Sequence, residues 1–104
     1  MDQITSESAL NSAISNNPSF IVMFTAPWSD FGQLTKSAIE RVGARYPALY
    51  QAWVSVDENP ELAQKWGYTS IPATVGYKNG SKVRDFVAPL YEDERVEDFI
   101  RSVL

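Results

Sequence analysis

The stretch Phe20-Ile21-Val22-Met23-Phe24-Thr25-Ala26-Pro27-Trp28-Ser29-Asp30-Phe31-Gly32 decides the fold. Its first five residues are apolar without alternation, the pattern of a strand buried on both faces. Thr25-Ala26-Pro27 breaks the run, Trp28 follows at the break, and Ser29-Asp30 opens a helix. A central strand that turns into a helix N-terminus is where open α/β sheets place their sites, beyond the carboxyl ends of the strands.

Working outward, Gln3-Ile4-Thr5 reads as a short edge strand. Ser6 caps a helix that carries Leu10, Ala13 and Ile14 at helical spacing, and Asn16-Asn17-Pro18 stops it. Beyond the central strand, a second helix runs to about Arg45, with Leu34, Ala38, Val42 and Tyr46 as its apolar stripe. Gln51 to Val56 is a strand. Asn59 caps a short helix that begins at Pro60 and ends at Gly67. Ala73 to Tyr77 and Lys82 to Val87 form a hairpin about Asn79-Gly80. A last helix sets Val96, Phe99, Ile100, Val103 and Leu104 on one face, with Glu92, Asp93 and Glu94 at its positive end. The order β-α-β-α-β-α-β-β-α predicts an α/β fold. Right-handed crossovers make its first strands parallel, and the hairpin adds antiparallel ones.

Composition narrows the function. The 104 residues, 44% hydrophobic and 21% charged, predict a single packed domain spanning residues 1–104. A net charge of −4 without a basic face argues against nucleic acid as a partner. No apolar run reaches the length of a membrane span, and the polar, acidic start is unlike a signal peptide, so a cytoplasmic location is expected. The chain has neither cysteine nor histidine. Thiol redox chemistry, thiolate nucleophiles and the usual zinc sites are therefore absent, along with the commonest general base. No cofactor and no metal is expected. Asp57-Glu58 with Glu61 has carboxylates, but not at the spacing of a metal loop.

Four segments together resemble the thioredoxin family: Ala26-Pro27-Trp28, Val56-Asp57-Glu58-Asn59-Pro60, Ile71-Pro72 and Tyr77-Lys78-Asn79-Gly80. The resemblance covers nearly the whole chain. It implies the thioredoxin fold, a central mixed β-sheet flanked by helices on both faces, with a cis peptide bond before Pro72. Where the family carries Trp-Cys-Gly-Pro-Cys, this chain reads Trp28-Ser29-Asp30-Phe31-Gly32. Ser29 and Gly32 replace the attacking and resolving cysteines. Met23 replaces a buried aspartate, Gln33 and Trp53 replace lysines, Ser37 replaces a helix-kinking proline, and Ala88 replaces a glycine near the substrate groove. The family's fold determinants stay and its catalytic set is gone.

Ser29 as a nucleophile lacks a base, so it reads first as a helix cap. Asp30 with Gln33 resembles a capping box, Met23 reads as core, and Trp53 and Trp66 read as packing residues. Trp28 is the residue most suited to anchoring a partner. The resemblance therefore implies a redox-inactive binding or regulatory module with no catalytic residue. Its groove would be lined by Trp28, Ser29, Asp30, Phe31, Ser70, Ile71, Pro72 and Ala88, and would hold a protein or an extended peptide by short β-augmentation. A second copy of the chain using the Trp28 face is an alternative occupant. Two other readings stand beside this one. In the first, a glutathione-transferase-like enzyme activates a thiol with Ser29. In the second, the chain is a thioredoxin disulfide oxidoreductase engineered to lack cysteine.

Overall fold

The computed structural model describes all 104 residues, Met1–Leu104. The chain forms β1 (Asp2–Gln3), α1 (Glu7–Asn16), β2 (Ser19–Thr25), α2 (Asp30–Gly43), β3 (Tyr50–Ser55), α3 (Pro60–Trp66), β4 (Ala73–Lys78), β5 (Ser81–Val87) and α4 (Asp93–Arg101). The sheet order is β1-β3-β2-β4-β5. β2 lies parallel to β3 and antiparallel to β4, and β4 lies antiparallel to β5. This is the thioredoxin fold, a mixed sheet with helices on both faces.

All seven residues of β2 are buried, as an unbroken apolar run in a central strand requires. Alternation along β2 divides the core. Phe20, Val22 and Phe24 join Leu10 and Ala13 of α1 and Leu62 and Ala63 of α3 on one face. Ile21 and Met23 join Ala38, Ile39 and Val42 of α2 and Val96, Phe99 and Ile100 of α4 on the other. Met23 is fully buried among these apolar side chains, so the sheet carries no carboxylate to desolvate there.

The local signals account for most boundaries. Ser6 caps α1 by accepting from the Ala9 N–H at 3.1 Å. Gly67 ends α3 in the left-handed region at φ 85°, and Asn79 and Gly80 both take positive φ, as a tight hairpin turn demands. Three expectations need correction. In the α2 stripe Ala38 and Val42 face the core as expected, joined by Thr35 and Ile39, while Leu34 is 45% exposed. Thr35 turns inward because its hydroxyl accepts from the Leu90 N–H at 3.0 Å. Asn59 begins α3 without a side-chain cap; its amide donates instead to the Ser55 carbonyl at 3.3 Å. Leu104 lies beyond α4 and is partly exposed rather than packed with Val103.

α4 is tied down by charge as well as by its apolar face. Arg41 of α2 meets Asp93 at 2.5 Å, and Arg84 of β5 meets Asp98 at 2.9 Å. The Arg41 hydrogen bond is the chief reason that the Asp93 carboxyl sits below its ordinary 3.8. A carboxyl depressed in the folded state contributes stability above its unfolded pKa and loses it as pH falls through the folded one. We expect Asp93→Asn to melt below the wild type at neutral pH and to converge with it in acid. Equal melting temperatures at both pH values would remove this pair from the forces holding α4.

Candidate functional site

The register of the sheet brings the candidate residues to one end of the molecule. Phe24 pairs with Ala73, and Ala73 pairs with Val87. The residues just outside these pairs are Thr25-Ala26 after β2, Pro72 before β4, and Ala88 after β5. Ser70 and Ile71 lead into Pro72, which is buried, and the Ile71–Pro72 peptide bond is cis. The turn Ala26–Ser29 closes with a hydrogen bond from the Ser29 N–H to the Ala26 carbonyl at 3.1 Å. That turn places Trp28 at its outer corner.

Trp28 is 69% exposed and Phe31 is 59% exposed. The indole N–H of Trp28 donates to Asp57 Oδ2 at 2.5 Å, which fixes the ring against the loop after β3. That loop is held at the same end by the Val56 N–H, which donates to the Thr25 carbonyl at 2.9 Å. Asp57 therefore belongs to the site although the sequence reading left it out. The signal was its position two residues after a strand that pairs with β2. Glu58 accepts from the Gln3 amide at 2.7 Å, so both carboxylates of this loop already hold hydrogen bonds from the chain.

Ser29 is the N-cap of α2. It is 8% exposed, and its Oγ accepts from the Gly32 N–H at 3.0 Å. The capping-box expectation for Asp30 and Gln33 is corrected accordingly. The cap lies one residue earlier, Asp30 is the first helical residue, and the Gln33 amide reaches back only to the Pro27 carbonyl at 3.4 Å. Asp30 is exposed and favourably placed at the positive end of the helix.

Gly32 has no room for a side chain unless Thr25 shifts. A Cβ there would fall 2.0 Å from Thr25 Oγ1 and 3.1 Å from both Ser29 Cβ and Oγ. Thr25 Oγ1 is buried and has no hydrogen-bond partner, so the hydroxyl fills this gap without gaining a bond from it. The Ser29 hydroxyl makes no hydrogen bond to a carboxylate, so no nucleophile–base pair is formed there. The arrangement offers an exposed aromatic pair, a bent backbone at Ser70–Pro72, and a helix start that caps itself.

The thioredoxin family model matches residues 2–102. The chain is 35% identical over 85 residues to a probable thioredoxin-2 of Caenorhabditis elegans, covering 81% of this chain and 58% of that protein. It is also 35% identical over 80 residues to thioredoxin 1 of Plasmodium falciparum, covering 77% of each. A solved structure of Plasmodium falciparum thioredoxin superposes with a TM-score of 0.87 at 29% identity over the whole of both chains.

The contact between Thr25 and Gly32 yields a test. Gly32→Ala is expected to destabilise the protein by roughly 1–3 kcal/mol through overpacking. In a Thr25→Ala background the same change should cost less, with a coupling of about 1 kcal/mol in a double-mutant cycle. Additive effects in urea unfolding would show that Thr25 does not occupy the space at position 32.

Proposed function

The chain belongs to the thioredoxin family, and from that premise we propose that it is a redox-inactive member that works by binding protein or extended peptide at the former active-site end. One observation carries this reading. Both positions of the exchanging cysteines are occupied structurally, while the aromatic side chains around them remain open to solvent. Ser29 caps α2 and Gly32 is closed by Thr25, yet Trp28 and Phe31 stay mostly exposed. Large exposed aromatics at a turn are typical anchors for a partner.

The groove has the parts that extended-peptide recognition needs. Trp28 and Phe31 supply apolar surface, and the backbone at Ser70–Ile71, ahead of buried Pro72, is available for strand-like pairing. Ser29, Asp30 and Ala88 complete its outline. A second copy of the chain on the same face is one protein partner that this reading admits. The glutathione-transferase-like alternative draws less support, because the Ser29 hydroxyl is nearly buried and already accepts from Gly32. The engineered alternative asks only for the two cysteines to be replaced; the buried Met23, and Trp53 packed against the same core, are departures that cysteine removal does not require. No helix is long and apolar enough to cross a membrane.

With no thiol in the chain, insulin disulfides should not be reduced above a buffer control. Peptides selected on the immobilised protein should lose roughly 1–3 kcal/mol of binding to Trp28→Ala, whose melting temperature stays close to wild type. Insulin turnover, or peptide binding indifferent to Trp28→Ala, would overturn the binding-module reading.

A further inference from the structure

Beyond Ala88 the apolar surface does not stop. Phe31, Pro89, Leu90, Tyr91, Glu92 and Arg95 enclose a notch of about 200 Å³ between the first turn of α2 and the start of α4. Thr35 fixes the far wall through its hydrogen bond to the Leu90 N–H. The two large side chains on the rim, Phe31 and Tyr91, are 59% and 45% exposed. A volume of this size is below that of a typical small-molecule site and suits a single side chain.

The charges around the notch are uneven. Of the acidic residues at 92–98, Asp93, Glu97 and Asp98 are each ion-paired with arginine. Glu92, on the notch, and Glu94, beside it, make no ion pair or side-chain hydrogen bond, and neither does Asp30 next to Phe31. The one cation on the notch, Arg95, lies with its guanidinium 5.1 Å from the centre of the Phe86 ring, where cation–π attraction holds it. Three carboxylates without an ion pair, Asp30, Glu92 and Glu94, thus outnumber the single cation Arg95 around a notch of mixed apolar and charged lining.

We propose that this notch is a specificity pocket that takes one large apolar side chain of a partner's extended segment, and that lysine or arginine residues flank that side chain in the partner. The proposal rests on the peptide-binding reading above. The notch continues the surface that starts at Trp28, so a segment lying across Ser70–Ile71 would deliver a side chain to it through Ala88. Unpaired carboxylates favour a basic segment over an acidic one and speed its encounter, an effect that salt weakens.

A random peptide library selected on the full-length protein tests the proposal, followed by titration of the selected peptides against variants whose folding is checked by thermal melting. Selected sequences should combine a large apolar residue with nearby lysine or arginine. Tyr91→Ser should weaken them about tenfold, which is 1.4 kcal/mol. The pair Glu92→Lys and Glu94→Lys should weaken them several-fold and flatten the salt dependence. If peptides bind and depend on Trp28 but show no apolar preference and ignore Tyr91→Ser, the notch is refuted while the groove stands. Selection of acidic peptides that depend on Arg95, or of a self-associating dimer broken by Tyr91→Ser, would also overturn the proposal. If nothing binds in a Trp28-dependent way, the notch and the groove both fall.

Discussion

The rest of the molecule depends on the burial of β2 from both sides. A strand with all seven residues out of water can carry almost no unsatisfied polarity. Its backbone is paired on one edge with β3 and on the other with β4, and its side chains feed two separate cores. Met23 fits that constraint as an adaptable apolar filler. The constraint relaxes only at the strand's end, where Thr25 has a buried hydroxyl with no partner. That hydroxyl faces Gly32, so the end of the central strand and the first turn of α2 are packed as one unit. What position 32 can carry is therefore decided by a residue seven positions earlier.

The same unit sets the hydrogen bonding of the α2 N-terminus. A helix start leaves backbone N–H groups unpaired, and serine is among the residues that satisfy one of them best, a contribution of about 1 kcal/mol. Ser29 does this with Gly32. In doing so it also uses the donor that would otherwise stabilise an anion at that position. The first turn is thus capped from within the chain.

The architecture was legible because its signals are local or periodic: an unbroken apolar run for β2, Asn79-Gly80 for the hairpin, Gly67 for the end of α3, and Ser6 for the start of α1. Only the start of the α2 face differs, because Leu34 has the stronger hydrophobicity, while Thr35 owes its inward position to a hydrogen bond from Leu90, 55 residues away. No window along the chain contains that partner. The Asp57 contact to Trp28 escaped for the same reason, since it joins residues 29 positions apart across two strands. Ser29 as a cap was readable from its residue type. The exclusion of a side chain at Gly32 was not, because it depends on where the Thr25 rotamer points.

An exposed aromatic differs in value according to whether it is free to move. Trp28 is tethered by its indole N–H to Asp57, and Asp57 sits on a loop anchored to the end of β2 through Val56. The hydrogen bond orients the ring against that loop. Binding to a surface that is already ordered avoids the conformational entropy that a mobile side chain would lose. Phe31 is placed with similar economy, since it stands in the first turn of a helix that is capped two residues before it. The two most exposed aromatic side chains of the chain are thus held by backbone and hydrogen-bond geometry rather than by burial. That combination gives an exposed aromatic surface at the end of the sheet.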